Sequence, residues 1–233
     1  MVKKAVILFS GGLDSATVLY LAQREGYRCR PIVFDYGQRH RREIISARRI
    51  ARAADVPCEV LKVPFPRKSS SLTDPTARIP LGNAGKKTRA IPSTYVPARN
   101  IVFLSLAVSF AESIGAEAVF IGANAVDFSD YPDCRPMFYK AFRRTIVIGT
   151  KSGTEGRSVK ILAPLLYKTK AEIVKLGFAL GVPYRLTWSC YQGGRRPCGR
   201  CDSCAFRAKG FREAGRADPL VVAAAMNGRR GRG

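Results

Sequence analysis

The sequence contains no long apolar run, few acidic residues and a single histidine. No stretch approaches about 18 consecutive apolar residues, so the sequence predicts no membrane span. The first residues lead directly into a short strand-like segment, without the apolar stretch and cleavage site of a signal peptide, so we expect none. The 233 residues are 46% hydrophobic, which suffices for one ordinary core with a small appendage.

Acidic residues are scarce. The chain has 17 Asp and Glu and 40 Lys and Arg, which leaves a formal charge of +23. A charge of this sign favours contacts with phosphates, so nucleic acid is a candidate partner. The arginines are spread along the chain and no aromatic residues interleave with them, and a solvated basic surface is the alternative explanation. The sequence is therefore compatible with a nucleic-acid partner but does not require one.

Strand-like and helix-like segments alternate, which predicts an α/β fold, a parallel sheet with helices on both faces. The predicted strands cover residues 5–10, 29–35, 58–63, 118–122 and 159–162. The predicted helices cover residues 15–24, 40–54, 101–114, 137–148 and 170–180. Residues 64–97 are the exception, a proline-rich loop that is either a mobile lid near a ligand or a disordered insertion.

The first strand passes into the first helix through the segment Ser10, Gly11, Gly12, Leu13, Asp14 and Ser15. Such a turn presents backbone N–H groups at the positive end of a helix, which attracts anions. Asp14 alone would repel a phosphate, so we expect it to hold Mg²⁺ or to orient the loop. The segment matches neither the Gly-Lys-Ser/Thr phosphate loop nor the dinucleotide fingerprint. A capped helix start that binds nothing is the alternative.

Four of the seven cysteines are crowded together near the C-terminus, namely Cys190, Cys198, Cys201 and Cys204. Four thiolates at this spacing suit a tetrahedral, structural Zn²⁺. A redox pair of Cys198 with Cys201 and an iron–sulfur cluster are the alternatives. The other three, Cys29, Cys58 and Cys134, are expected to be buried or incidental thiols. Clustered cysteines of this kind are typical of a reducing compartment, so we expect a cytoplasmic protein.

Further segments carry a resemblance to a known family. The segment at residues 10–15 resembles the PP-loop of adenylating ATP pyrophosphatases. Three others read Phe-Asp-Tyr-Gly-Gln-Arg-His at 34–40, Tyr-Val-Pro-Ala-Arg-Asn at 95–100, and Asn-Ala-Val-Asp-Phe-Ser-Asp-Tyr-Pro-Asp-Cys-Arg-Pro at 124–136. With the cysteine cluster they follow one another as in the 7-cyano-7-deazaguanine (preQ0) synthase family, and the chain resembles that family from residue 6 to about 226.

The resemblance implies a Rossmann-like, adenine nucleotide alpha-hydrolase-like fold at residues 1–187. It also implies a small zinc module with packed helices at 188–227, and a basic, disordered tail at 228–233. The implied enzyme is a ligase that forms carbon–nitrogen bonds in queuosine or archaeosine biosynthesis. It would convert 7-carboxy-7-deazaguanine and ammonia into 7-cyano-7-deazaguanine through adenylated acid and amide intermediates, with release of AMP and pyrophosphate. ATP would bind with Mg²⁺, and the family is typically a homodimer.

The resemblance also implies roles for individual residues. Residues 10–15 would bind ATP, and the residues implied in catalysis are Asp14, Arg99, Asn100 and His40. Arg99 would contact a phosphate or the substrate carboxylate, unless it is merely a charge at a helix start. Asp127 and Asp133 are candidates to bind the guanine-like edge, or each is a helix or turn cap. His40 is a candidate base for ammonia, or a cap or packed side chain.

The sequence departs from the family pattern at two positions and leaves rival functions open. Asp130 stands where the family usually has glycine, and Met137 where it usually has an acid. The first rival is a PP-loop enzyme that adenylates a tRNA base for thiolation. The second is a zinc-bearing nucleic-acid-binding module without catalysis. The third keeps the deazaguanine carboxylate but delivers its adenylate to another amine.

Overall fold

The structure, a computed structural model, describes residues 2–82, 90–126 and 131–222. Within these ranges a five-stranded sheet is formed by β1 (Lys4–Leu8), β2 (Arg28–Asp35), β3 (Glu59–Lys62), β4 (Ala118–Ile121) and β5 (Lys160–Leu162). The strand order is β3–β2–β1–β4–β5, and every neighbouring pair is parallel. The predicted parallel sheet is therefore confirmed, and each predicted strand overlaps an observed one.

The five predicted helices are present as α1 (Leu13–Arg24), α2 (Arg42–Ala53), α3 (Arg99–Ser113), α4 (Pro136–Gly149) and α6 (Lys170–Ala179). The sequence pattern did not mark the short helix α5 (Lys151–Thr154), and it anticipated α7 (Asp202–Glu213) only as unspecified helices of the C-terminal module. The helix predicted at 40–54 begins two residues later, because His40 and Arg41 form a turn before α2. That turn leaves His40 outside the helix.

Helices cover both faces of the sheet, as predicted, and two apolar cores result. Along β1, Ala5 and Ile7 belong to one core while Val6 and Leu8 belong to the other, because side chains alternate along a strand. The first core also receives residues of α1, α2, α6 and α7, and the second receives residues of α3 and α4. Burial on both faces explains why the strands are almost continuously apolar.

The described part of the long segment after β3 is packed against the body of the protein. Leu72 and Ile79 are buried in the core that contains α3. Arg39 donates from Nη1 to the carbonyl oxygen of Asp74 at 3.3 Å, and Leu81 forms an isolated antiparallel bridge with Cys201. A disordered insertion therefore does not describe residues 70–82, and Leu72 also lines the cavity described below.

The topology places a binding site at one edge of the sheet. The chain passes from β1 to β2 on one side, whereas β4 lies on the other side of β1. Ligands of parallel α/β sheets bind outside the carboxyl ends of the strands at such a reversal. None of the helices that the structure describes is both long enough and apolar enough to cross a membrane.

Candidate active site

A cavity of about 270 Å³ opens at the carboxyl ends of β1, β2 and β4. Many of the predicted site residues line it, from several separate parts of the chain: Ser10, Gly12, Leu13, Asp14, Ser15, His40, Arg99 and Asn100. We call the part formed by residues 10–15 and Lys170 the loop end. The part formed by Tyr36, His40, Glu43 and Arg99 is called the arginine end. Asp127 lies outside the described residues, as do Asp130 and the tail at 228–233.

Gly11 holds the loop end against helix α2. Its φ of +76° lies in the left-handed region, which favours glycine. A β-carbon at this position would lie 2.5 Å from the backbone nitrogen of Ala47 and 2.5 Å from the carbonyl oxygen of Glu43. No side chain can occupy that space without displacing α2. Gly11 is therefore required by the approach of the helix as well as by the backbone conformation of the turn.

Hydroxyl groups and backbone N–H groups meet in the same turn. The Oγ atoms of Ser10 and Ser15 are 3.1 Å apart, and the N–H of Gly12 donates to Ser10 Oγ at 3.3 Å. Among the described residues no side chain caps the start of α1. The first N–H groups of this helix are thus directed to the cavity end of the turn, where an anion would satisfy them.

Lys170 supplies a cation to the loop end. Its Nζ lies 2.9 Å from both carboxylate oxygens of Asp14, and its side chain is buried. Lys170 is the first residue of α6, fixed there by a capping box in which Thr169 and Glu172 bond each other's backbone. The sequence interpretation missed this residue. The sequence signal that could have identified it is a lysine at the predicted start of a helix. A cation is unfavourable at this positive end, so a lysine there suggests a functional role.

Arg99 begins helix α3 from a strained backbone position. Ala98, the residue before it, has a φ of +55°, and such left-handed non-glycine residues cost on the order of 1–3 kcal/mol. Two contacts maintain the geometry. The N–H of Ala98 donates to Tyr95 Oη at 3.0 Å, and the N–H of Asn100 donates to Asp133 Oδ2 at 3.0 Å.

The side chain of Arg99 is half-buried and has no carboxylate partner among the described residues. Its Nη1 lies 3.4 Å from the phenol oxygen of Tyr36, whose ring centroid is 6.0 Å from the guanidinium carbon. Within the described ranges, no carboxylate oxygen lies within 4.0 Å of it. Burying a cation without a counter-charge is unfavourable. The arginine end is therefore suited to an anion.

Glu43 and His40 form a buried pair beside this arginine. His40 Nε2 lies 3.3 Å from Glu43 Oε2, and Gln38 Nε2 donates to Glu43 Oε1 at 2.9 Å. Burial raises the pKa of Glu43 to about 8 and lowers the pKa of His40 to about 3. Of the two His40 nitrogens, the buried Nδ1 has no hydrogen-bond partner among the described residues. The sequence interpretation missed Glu43, although it lies three residues after the single histidine.

Asp133 and Asn100 are placed mainly by each other. The Asp133 carboxylate caps α3, and Asn100 Nδ2 donates to the carbonyl oxygen of Asp133 at 3.2 Å and to Cys134 Sγ at 3.4 Å. Asn100 lines the cavity, whereas Asp133 does not belong to its lining. The Asp133 carboxylate thus contacts the first turn of α3, and no side chain caps the start of α4, the described helix that follows it. The role of Asp133 in binding substrate stays a prediction.

The four crowded cysteines form one cluster that can hold a metal ion. Their sulfur atoms all lie within 4.8 Å of one another, and Cys198 and Cys204 are 4.0 Å apart at Sγ. Tetrahedral Zn²⁺ with Zn–S bonds of about 2.3 Å needs sulfurs about 3.8 Å apart, so the cluster fits the ion. Backbone N–H groups of Cys198 and Cys201 point at sulfur atoms of the cluster, each at 3.3 Å.

The thiols of the cluster also affect one another's ionisation. Hydrogen bonds from Cys201 and Cys204 lower the pKa of Cys190, and hydrogen bonds with Cys190 and Cys201 raise the pKa of Cys204. Cys190 and Cys204 therefore do not both ionise readily in the absence of positive charge. A metal ion would supply that charge, since the thiolate is the form that binds metals.

Trp188 connects the cysteine cluster to the loop end. Its backbone N–H donates to the carbonyl oxygen of Gly11 at 2.9 Å, and its indole Nε1 donates to the carbonyl oxygen of Cys190 at 2.9 Å. On the other side of the cluster, Tyr191 packs on His40 with ring centroids 5.8 Å apart. The cluster thus supports both ends of the cavity.

The parallel sheet and the Ser-Gly-Gly-Leu-Asp-Ser turn at its switch point define a PP-loop type of nucleotide-binding α/β protein. The chain matches the family described as Queuosine biosynthesis protein QueC over residues 4–215. It is 52% identical to the 7-cyano-7-deazaguanine synthase of Anaeromyxobacter sp. (strain Fw109-5), covering 94% of this chain and 96% of that protein. The corresponding protein of Thermoplasma acidophilum is 49% identical, covering 94% and 91%. The chain belongs to the QueC family.

The expected family and the expected enzyme class, a carbon–nitrogen ligase, are confirmed by these relatives. Among solved structures, the U34-tRNA thiolase NcsA of Methanococcus maripaludis with its [4Fe-4S] cluster aligns with a TM-score of 0.48 at 17% identity. That alignment covers 90% of this chain and 64% of the thiolase. A likeness this weak conveys nothing about the chemistry of this chain.

Proposed function

We propose that the protein converts 7-carboxy-7-deazaguanine and ammonia into 7-cyano-7-deazaguanine, with two ATP cleaved to AMP and pyrophosphate. The main observation in favour of this function is that two different groups of residues suited to anions line the same cavity. The loop end, with Lys170, suits the phosphates of ATP. The arginine end, where Arg99 has no carboxylate partner within the described ranges, suits the substrate carboxylate.

Both oxygens of the substrate carboxylate must be removed, and each must first be converted into a leaving group. In the first step a carboxylate oxygen attacks the α-phosphorus of ATP, and pyrophosphate leaves. Ammonia then adds to the acyl carbon, AMP leaves with that oxygen, and one proton is released. In the second round the amide oxygen attacks a second ATP, pyrophosphate leaves, and the nitrogen loses a proton. Departure of AMP and a further proton from this intermediate leaves the nitrile.

The loop end would hold the phosphates in line with the attacking oxygen. The N–H groups at the start of α1, the hydroxyls of Ser10 and Ser15, and Lys170 Nζ are donors suited to phosphate oxygens. Asp14 is the carboxylate at this end that would hold Mg²⁺ with ATP, and the ion, when bound, would supply positive charge beside the pyrophosphate. Lys170 keeps the Asp14 carboxylate in place until ATP arrives.

The arginine end would hold the deazaguanine acid. Arg99 would contact its carboxylate, and the lining of the same cavity includes the rings of Phe34, Phe103 and Tyr131, which suit a flat heterocycle. Asp127 and Asp133 remain the candidates for the N1–H and 2-amino group of the guanine-like edge. Asp133 would have to act while its carboxylate also caps α3.

We further propose that the metal of the cysteine cluster is Zn²⁺ in a structural role, because four sulfur ligands leave no open position. Residues 1–187 would form the ATP-binding part, and residues 188–227 the metal-bearing module. Seven free thiols are suited to a reducing compartment, so we place the protein in the cytoplasm. A homodimer is proposed from the family resemblance, and sedimentation would test it. Nucleic acid is not needed for the proposed reaction.

A product assay tests this function directly. Purified protein is mixed with Mg-ATP, ammonium and 7-carboxy-7-deazaguanine, and the products are identified by mass spectrometry. The expected result is the nitrile with two AMP per turnover. AMP without nitrile would indicate another amine acceptor or another acid. If ATP stayed intact in a folded, metal-loaded sample, the proposal would be contradicted, and RNA binding would be tested next.

A further inference from the structure

We propose that Glu43 is the base that removes protons from nitrogen, first when ammonia replaces AMP and again when the amide becomes the nitrile. His40 would act as a positioning residue that holds the Glu43 carboxyl group. The inference rests on the proposed function and names the group that performs its proton transfers. It replaces His40, the candidate base of the sequence interpretation, by its carboxyl partner.

The position of Glu43 supports this assignment. Its side chain is 13% exposed, that of His40 is 5% exposed, and both residues line the same cavity as Arg99. The first turn of α2, which carries Glu43, also packs directly against the loop end. A β-carbon added to Gly11 would lie only 2.5 Å from the carbonyl oxygen of Glu43. Glu43 therefore stands at the arginine end and directly beside the loop that would bind ATP.

Hydrogen bonds fix the Glu43 carboxyl group from two sides. Gln38 Nε2 donates to Glu43 Oε1 at 2.9 Å and to the carbonyl oxygen of Phe34 at 3.0 Å, while Gln38 Oε1 accepts from the N–H of Tyr36 at 2.8 Å. The amide of Gln38 is thus held at three points and cannot rotate freely. The second carboxyl oxygen faces His40 Nε2. A base held this firmly is preorganised for proton transfer.

His40 adds an unsatisfied polar atom to the cavity wall. Its Nδ1 is buried and has no partner among the described residues, which is rare for a native polar atom. When Glu43 is ionised, His40 donates to it from Nε2, and Nδ1 is left as a bare acceptor. An N–H group of ammonia or of the substrate amide would satisfy that acceptor.

The electrostatic surroundings keep Glu43 suited to both accepting and releasing protons. Burial raises its pKa to about 8, the Gln38 hydrogen bond and the charge of Arg99 oppose the rise, and the charge of Asp35 adds to it. A base is most efficient when its pKa lies near the working pH. Burial keeps the pKa of His40 far below that range, so His40 is neutral and the pair carries its mobile proton on Glu43.

The proton balance needs a base three times in each turnover. In amination, nitrogen forms a bond to the acyl carbon, the carbon–oxygen bond to AMP breaks, and Glu43 takes the N–H proton. During the second activation the amide nitrogen loses one proton as its oxygen bonds to phosphorus. The last N–H proton leaves as the second carbon–oxygen bond breaks and the carbon–nitrogen triple bond forms. Between these events Glu43 returns each proton to solvent.

The test separates adenylation from proton transfer with the variant Glu43→Gln. Glutamine preserves the volume and can still pair with Gln38 and His40, but it cannot take a proton. Adenylation is measured as carboxylate-dependent exchange of labelled pyrophosphate into ATP without ammonia. We expect exchange within about threefold of the wild type, and a fall in nitrile formation of roughly 10²- to 10⁴-fold. Glu59→Gln, in an exposed ion pair on β3, is the matched control.

A second measurement starts from the amide, which removes ammonia from the system. The wild-type rate of nitrile formation should rise with pH through an apparent pKa near that of Glu43, and the Glu43→Gln profile should lack this limb. An equal fall in exchange and in nitrile formation would make Glu43 structural and overturn the proposal. Unchanged nitrile formation would also overturn it. Absence of exchange in the wild type would instead contradict the proposed function.

Discussion

The two ends of the cavity balance their charges in opposite ways. At the loop end, Lys170 already contacts both carboxylate oxygens of Asp14 at 2.9 Å. At the arginine end, the described residues give Arg99 only a phenol oxygen at 3.4 Å. The difference corresponds to what each end would receive. ATP would arrive with Mg²⁺ and so needs a carboxylate as well as a cation, whereas a carboxylate substrate needs a cation that is not yet neutralised.

The two ends also differ in what they contribute to the stability of the folded protein. A half-buried guanidinium without a carboxylate partner among the described residues and a left-handed Ala98 beside it both cost free energy. The loop end has a glycine wherever the backbone turns sharply, and its cation is paired. Only the arginine end is therefore expected to gain stability when it is disabled, which is typical of binding sites.

The largest expected effect comes from the cluster that supports both ends. Cys201→Ser should lose the metal and lower the free energy of unfolding by on the order of 5 kcal/mol or more, since structural zinc supplies about 10–16 kcal/mol in peptide sites. ATP binding and carboxylate binding should weaken together through Trp188 and Tyr191. Metal content and thermal unfolding measure this, with the half-buried Cys58→Ser as the control. A metal-free variant of normal stability would contradict the structural role.

Arg99→Met should disable the arginine end alone. Loss of one partner of a buried charge pair costs about 2–5 kcal/mol, so kcat/KM for the carboxylate should fall roughly 30- to 5,000-fold. The KM for ATP should stay nearly constant, and the melting temperature should stay the same or rise, because a half-buried charge without a carboxylate partner among the described residues is removed. Arg143→Met is the control, since Arg143 bonds the carbonyl oxygen of Ile161 away from this cavity. A large loss of stability in Arg99→Met would make Arg99 structural.

Lys170→Met should give the reverse pattern. A hydrogen bond to a charged group contributes about 1.5–3 kcal/mol, so the KM for ATP should rise roughly 10- to 150-fold. The affinity for the carboxylate, measured by calorimetry without ATP, should not change. Lys175→Met, at an exposed position of the same helix, controls for the loss of charge. If both substrates lost affinity equally, the two ends would not be separate sites.

The smallest effect is a pH dependence of stability at the arginine end. The raised pKa of Glu43 stabilises the folded protein at low pH, and this contribution is lost as pH rises through about 8. The lowered pKa of His40 acts oppositely between about 3 and 6.5, so the two contributions cancel only between about 4.5 and 6.5. Between pH 6.5 and 8 the wild type should lose about 2 kcal/mol more than Glu43→Gln in denaturant unfolding. Equal slopes would show that Glu43 is already ionised at neutral pH.

The loop end could be predicted from the sequence and the arginine end only in part. Residues 10–15 are contiguous, and their function follows from the turn between a strand and a helix. Lys170 was missed because its partner Asp14 lies 156 positions away, and only the folded chain brings them together. Arg99 was predicted through a family resemblance, and its contact with Tyr36 in the cavity wall is visible only in the folded chain.

The cysteine cluster and the fold were predictable for a physical reason. Parallel strands buried on both faces give continuous apolar runs, and metal ligands cluster at short spacing, so both leave local patterns. Asp133 shows the limit of such patterns, since its carboxylate accepts from the N–H of Asn100 on α3, 33 positions earlier in the chain, and not from the start of α4, which follows it. The Nδ1 of His40, which has no hydrogen-bond partner in the described part of the chain, leaves no sequence pattern at all.

Oxygen transfer from the substrate carboxylate to AMP tests the central claim most directly. The protein would be given 7-carboxy-7-deazaguanine with both carboxylate oxygens labelled as ¹⁸O, together with Mg-ATP and ammonium, and AMP and pyrophosphate would be analysed by mass spectrometry. We predict that every AMP carries one labelled oxygen, with two AMP for each nitrile and no label in pyrophosphate. Unlabelled AMP, or label in pyrophosphate, would contradict the claim that this cavity activates the carboxylate as an adenylate.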